Sequence, residues 1–178
     1  MIGLFIGRFQ PFHNGHLEAV KWMLKKCDEV IILVGSSQFC YEKENPFTVG
    51  ERIEMITSSL KAAGLWQKCQ VLFLPDVQNN ALWVVHVNSL IPNYDLVYSN
   101  NPLTRTLFEE SGKKVESIPF HDRENCDGTK IRNIMGSGRG WERYMPAAAV
   151  EVVKRVKGPE RLKSIGKGDK FEDVEEEE

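Results

Sequence analysis

Two uninterrupted apolar runs, MIGLFIG at 1–7 and EVIILVG at 29–35, constrain this chain more than any other feature. A strand with one wet face alternates apolar and polar residues. A run that is apolar at nearly every position suits a strand covered on both faces, as inside a parallel sheet. A stretch with helical spacing follows each run. Leu17, Val20, Leu24 and Cys27 mark one face of a helix expected from about Gly15 or His16 to Lys26. Ile53, Ile56, Leu60 and Ala63 do the same in TVGERIEMITSSLKAAG, where Thr48 and Glu51 have capping-box spacing and Gly64 marks the end. The alternation continues. CQVLFLP reads as a strand, NNALWVVHVNSLI as an Asn-capped helix stopped by Pro92, and YDLVYS as a strand. NPLTRTLFEESG is a helix with Asn101 as cap, Pro102 at its first position and Gly112 just past its end. KKVESIP is a weaker fifth strand, and a short helix is expected from near Thr129. MPAAAVEVVKRVKG supplies a last helix, entered at Pro146 and left at Gly158. The expected class is α/β, a doubly wound parallel sheet in a single domain with C-terminal helices. Such sheets bind ligands outside the carboxyl ends of their strands.

Charge narrows the ligand. The 178 residues carry a net charge of −2, which argues against a generic nucleic-acid surface. Six acids sit in the last seven residues, EDVEEEE, and without them the body is about +4. A mildly cationic body suits a small anion better than a duplex. The domain is expected over residues 1–166, with an acidic tail over 167–178 too polar to order itself. Cys27, Cys40, Cys69 and Cys126 form no C-x-x-C pair and are expected to be free thiols in a reducing cytoplasm. No apolar stretch reaches the ~18 residues of a membrane span, so no membrane partner is expected. The first apolar run has no basic region ahead of it and reads as strand rather than signal peptide.

The first strand leads directly into GRFQPFHNGHL, residues 7–17. A helix start offers unpaired N–H groups and about half a positive charge, an anion site in itself. His13 and His16 stand on either side of Gly15 there, and Arg8 adds a cation with forked donors. Imidazole is compact and can donate a hydrogen bond to phosphate. Neither G-x-x-x-x-G-K-[ST] nor G-x-G-x-x-G follows the first strand, so the common phosphate fingerprints do not compete. Near the other end, DGTKIR sets Thr129 and Arg132 three residues apart, on one face of a helix start.

GRFQPFHNGH together with GTKIR resembles the nucleotidyltransferase superfamily marked by H-x-G-H and a later [ST]-x-x-R segment. GSSQ, NPFTVGERIEMI, NNALWVVHV, DLVYSNNPLTRTLFEE and VVKRVKGPERL, in that order, resemble the archaeal-type nicotinamide-nucleotide adenylyltransferases. The likeness spans Ile2 to about Leu162. It implies a Rossmann-like nucleotidyltransferase fold and, with Mg²⁺, the reaction of ATP and nicotinamide mononucleotide to give NAD and pyrophosphate, a step of NAD biosynthesis. It also implies a cytoplasmic homo-oligomer.

On this resemblance His16 hydrogen-bonds the α-phosphate and His13 supports the phosphates, while Arg8, Thr129 and Arg132 hold the β- and γ-phosphates. Gly7, Phe9 and Asn100 complete the expected ATP site, Asn100 at the adenine or ribose edge. Trp83 offers an indole face for a cationic pyridine ring. Asp76, Asn80 and the backbone of Val77 are expected to orient that ring or its ribose. Some relatives place an arginine in the segment matching YEKENPF; here Lys43 is the nearest candidate for the substrate phosphate. Asp127 stands where the family usually has Ser, and it serves equally well as a helix cap. His86 and His121, with Trp22, Trp66 and Trp141, are assigned to structure. Rival readings are the same chemistry on FMN, phosphopantetheine or glycerol phosphate, and a module that senses nucleotides without turnover. An aminoacyl-tRNA synthetase fragment is disfavoured, because no K-M-S-K-S-like segment is present.

Overall fold

The computed structural model describes residues 1–119, 127–138 and 140–168. Five strands alternate with helices in chain order: β1 Ile2–Gly7, α1 Asn14–Met23, β2 Glu29–Val34, α2 Val49–Ala62, β3 Cys69–Phe73, α3 Trp83–Leu90, β4 Leu96–Tyr98, α4 Pro102–Glu110 and β5 Val115–Glu116. Three further helices follow, α5 Gly128–Ser137, α6 Ala147–Arg155 and α7 Gly158–Gly168. All strand pairs are parallel, in the order β3-β2-β1-β4-β5. The chain winds outward from β1 to β3 and then crosses to β4 on the other side. The switch point therefore lies between β1 and β4, where a doubly wound sheet leaves a crevice for ligand.

The apolar runs behave as expected. Along β2, Val30, Ile32 and Val34 enter one core cluster and Ile31 and Leu33 the other, all fully buried. The larger cluster packs β1 and β2 against α1, α2, α5 and α6, through residues such as Val20, Ile56, Met135 and Val153. The smaller one packs the opposite face against Val84 and Val87 of α3 and Phe108 of α4. The caps also form. Thr48 and Glu51 exchange two bonds of 3.2 and 2.9 Å, and Asn101 accepts from the Thr104 amide at 3.0 Å. Gly64 takes φ +69° and Gly112 φ +79° just beyond their helices.

Several expectations need correction. Helix α1 starts at Asn14 and ends at Met23, because Lys26 and Cys27 already belong to a closing turn onto Met23. The buried stripe of α2 includes Arg52, Met55 and Ser59, while Ile53 and Ala63 lie at its margin. The fifth strand is only Val115–Glu116. Gly158 does not end the last helix; it begins α7. Lys157 takes the left-handed conformation, φ +55°, and a Cβ on Gly158 would lie 2.8 Å from Val153 Cγ1 and 3.1 Å from the Phe47 ring. That glycine permits close packing rather than a turn. Helix α7 is tied down by Arg161, whose fork grips Glu51 at 2.6 and 2.7 Å and reaches the Pro46 carbonyl at 2.9 Å. Trp141 is buried and Trp22 packs edge-on against Tyr98, so the packing assignments hold. Cys27, Cys40 and Cys69 are free thiols. His121, Cys126 and the tail from 169 onward lie outside the described residues.

Candidate active site

The loop from β1 to α1 crosses the switch point. Gly7 must be small, since a Cβ there would sit 2.9 Å from the Phe9 ring. Phe9 is buried with φ +51°, so its ring belongs to the core, and only its backbone is left to meet a ligand. Arg8 is exposed at the mouth of the cleft, and its guanidinium has no carboxylate partner among the described residues.

The two imidazoles stack on each other, with ring centroids 3.5 Å apart. Phe9 and Phe12 enclose the ring of His16 at 4.9 and 5.5 Å. Burial, and then the neighbouring His13, push the His16 pKa well below the ordinary imidazole value. Burial lowers that of His13 to about 4, against a weaker opposing pull from Asp127. Both rings are therefore neutral at pH 7, and the cationic charge comes from arginine and the helix terminus. The His13 amide donates to Nδ1 of His16 at 3.2 Å, so His16 caps its own helix. With Nδ1 accepting, the neutral ring carries its proton on Nε2, the tautomer that can donate to an anion. Nδ1 of His13 is buried with no partner in the described structure. A buried polar atom left unpaired costs about 1–3 kcal/mol, which is unusual unless a ligand completes it.

Helix α5 brings the far end of the chain to this loop. Nη1 of Arg132 donates to the Gln10 carbonyl at 2.8 Å, across 122 residues of sequence. Nη2 donates to Thr129 Oγ1 at 3.2 Å and to Glu44 at 2.7 Å. The Arg132 side chain is only 6% exposed, and desolvation lowers its pKa. Asp127 caps α5 by accepting from the Lys130 amide at 2.9 Å, the role open to it at a helix start. Thr129, Arg132 and the β1 loop thus come together, as the resemblance implied.

The residues expected to hold the acceptor, Lys43 apart, line a cleft of about 460 Å³, with Gly7, Arg8, Asp76, Val77, Asn80 and Trp83 in its wall together with Asn101 and Thr104 from the β4 side. Trp83 is both wall and core: it faces the cleft and packs partly against the smaller cluster. Asp76 is held by Ser36, whose amide and hydroxyl donate at 3.2 and 2.6 Å, and its own amide donates to Gln38. His86 bonds the Pro75 carbonyl at 3.1 Å, a structural tie between α3 and the β3 loop.

Two residues of the expected sites lie outside that cleft. Asn100 does not line the cleft; its side chain exchanges two bonds of 2.8 and 2.9 Å with the Ile118 backbone and pins the β4 and β5 ends together. Lys43 lies away from Asp76 and Trp83, beside Arg132 and Thr129 in a second cavity of about 130 Å³.

Sequence reasoning missed Arg52. It is fully buried in the first turn of α2 and donates to the carbonyls of Arg8, Gly35 and Ser36 at 3.0, 2.9 and 3.1 Å. Burial lowers its pKa to about 10. This one side chain holds the loops after β1 and β2, two walls of the cleft. Only its place in the quoted stretch NPFTVGERIEMI hinted at it, since an arginine on a helix is ordinarily a solvated charge.

Comparison with known proteins shows the family and the fold. Residues 4–134 match the model of the cytidylyltransferase-like family. The chain is 47% identical over 166 residues to the nicotinamide-nucleotide adenylyltransferase of Methanolobus tindarius, covering 93% of this chain and 95% of that one. The enzyme of that name from Archaeoglobus fulgidus is 44% identical over 169 residues, covering 93% and 97%. A solved bifunctional NMN adenylyltransferase/ADP ribose pyrophosphatase from Francisella tularensis, complexed with AMP and a Mn ion, superposes with a TM-score of 0.75 at 22% identity. It is covered over 94% of this chain but 52% of its own, so the present chain spans about half of it and shares its fold there.

Proposed function

From the premise that this chain belongs to the nicotinamide-nucleotide adenylyltransferases, within the cytidylyltransferase-like family, we propose that it joins ATP and nicotinamide mononucleotide into NAD and pyrophosphate. The 5′-phosphate of the mononucleotide has its second pKa near ~6 and is largely dianionic at pH 7, so attack needs no general base. It adds in line to the α-phosphorus of ATP as the bond to the β-phosphate oxygen breaks, and pyrophosphate leaves. The obstacle is the meeting of two anions, and catalysis is mostly positioning and charge stabilisation.

The observation that carries this reading is the bond from Arg132 to the Gln10 carbonyl, which puts a guanidinium from residue 132 on the loop that carries His13. In this assignment Nε2–H of His16 donates to the α-phosphate, and unpaired Nδ1 of His13 is completed by the bound phosphates. Arg8, Arg132 and Thr129 hold the β- and γ-phosphates. Nicotinamide mononucleotide occupies the 460 Å³ cleft, with its ring on Trp83 and with Asp76, Asn80 and the Val77 backbone beside it. Mg²⁺ enters with ATP as part of the substrate. The carboxylates near the phosphate corner are engaged, Asp127 at a helix cap and Glu44 on Arg132, a donor set suited to an ion carried on phosphate oxygens and water. Among the described residues no helix is long and apolar enough to cross a membrane. A cytoplasmic homo-oligomer, with residues 1–166 as the catalytic domain and 167–178 as an acidic tail, completes the reading.

The test is incubation with Mg·ATP and a panel of phosphomonoesters, following pyrophosphate and dinucleotide. NAD formed with nicotinamide mononucleotide is the expected result. Pyrophosphate released only with FMN, phosphopantetheine or glycerol phosphate would move the assignment to that acceptor.

A further inference from the structure

The guanidinium of Arg132 is already occupied. Both hydrogens of its Nη2 are engaged, one by Glu44 Oε2 at 2.7 Å and the other by Thr129 Oγ1 at 3.2 Å, while Nη1 donates to the Gln10 carbonyl at 2.8 Å. A phosphate gripped by two parallel donors needs both N–H groups of one edge. A carboxylate oxygen has the charge sign and hydrogen-bonding habit of a phosphate oxygen, so Glu44 holds the position a phosphate would take.

We propose that Glu44 is a tethered competitor for polyphosphate, which must release Arg132 before the distal phosphates of ATP engage it, and so sets nucleotide affinity. The proposal rests on the reading that Arg132 receives those phosphates. The geometry makes Glu44 the partner that moves. The Arg132 side chain is 6% exposed and bonded on both ends of its fork, whereas that of Glu44 is 56% exposed. The backbone around Glu44 is pinned. Glu42 and Asn45 exchange bonds of 3.2 and 3.0 Å, and Gln10 holds the Phe47 amide and carbonyl at 3.0 and 2.9 Å. Release is therefore a side-chain rotation. It leaves Lys43 and Arg132 as the charged lining of the 130 Å³ cavity, a receptacle for anionic phosphate in place of an ion-paired one.

The experiment is calorimetric titration of ATP and of AMP into the wild-type chain, Glu44→Gln and Glu44→Asp, with each variant repeated in an Arg132→Met background. A competitor that holds its site most of the time lowers apparent affinity by the fraction of competent molecules. Glu44→Gln removes the charge; Glu44→Asp keeps it on a side chain too short to reach. Both should tighten ATP by about 3–10-fold, leave AMP within about 2-fold, and lose their effect in the Arg132→Met background. Tightening by Gln but not by Asp would reduce Glu44 to a charge acting through space and overturn the proposal. Equal tightening of AMP, or a gain that persists without Arg132, would overturn it too, as would unchanged ATP affinity. NAD formation by the wild-type chain is read in parallel. Its absence refutes the assigned reaction, whereas its presence with unchanged ATP affinity refutes only the role of Glu44.

Discussion

The phosphate corner and the acceptor cleft lie at the same edge of the sheet and are built in opposite ways. In the corner, His13 and Arg132 are at least 94% buried and His16 is packed among aromatic rings, each held by backbone or by a stacked neighbour. In the cleft, Asp76 and Asn80 are exposed and Trp83 is only partly buried. Donors that meet developing charge gain from low dielectric and from needing no reorganisation, so burial there suits the proposed chemistry. Residues that only select a ring or ribose must admit and release it, and the cleft stays open to solvent. Mutations in the corner should therefore act on kcat and stability together, and mutations in the cleft on KM.

The sharpest way to break that contrast is His16→Ala. One preorganised donor is worth about 2.7–4 kcal/mol in the transition state, so kcat should fall about 10²–10³-fold. Because His16 also caps α1, about 1 kcal/mol of stability should go with it, read by urea unfolding. Near-normal turnover would remove the assignment.

Acid comes next. The folded pKa of His13, about 4, lies below the ordinary imidazole value of 6.5, so between those values the unfolded chain binds a proton that the native one refuses. The stability this group contributes is complete above pH 6.5 and is lost as pH falls towards 4, by about 3 kcal/mol, with His16 adding in the same direction. Unfolding curves at pH 7 and 5 measure it. A chain equally stable at both would mean the imidazoles are not buried and neutral, and the contrast with the cleft would fail.

Trp83→Ala should raise KM for nicotinamide mononucleotide by about 2–30-fold, the range of a lost cation–π contact of ~0.5–2 kcal/mol, with KM for ATP unchanged. Initial rates at varied substrate decide it, and a fall in kcat alone would place Trp83 with the corner. The smallest effect belongs to Asn100→Ala. Its amide pins Ile118, so about 1 kcal/mol of stability should be lost while KM for ATP stays within about 2-fold. A large rise in that KM would return Asn100 to the ATP site.

Much of the architecture could be read residue by residue. The apolar runs, the Thr48–Glu51 box, the Asn101–Pro102 start and the glycine stops are local signals, since each depends on neighbours within a few positions. The same holds for His13 and His16 at a helix start and for Thr129 and Arg132 on one helical face. Gly158 was misread because the contact that requires it, with Val153 and the Phe47 ring, is made in space and not in sequence. Nothing local marks the Asn100–Ile118 tie, because a loop asparagine looks the same in sequence whatever it bonds.

The amino-acid order alone determined the parallel sheet, its capped helices and the two motifs that carry the family likeness, because periodicity and capping act over one or two turns of chain. Only the tertiary structure decided which charges those motifs meet. It buried the histidines until they became neutral, set Arg52 under the loops of β1 and β2, and gave Arg132 to Glu44 across 88 residues. Burial and ion pairing are properties of neighbours brought together by folding, and no local pattern records them.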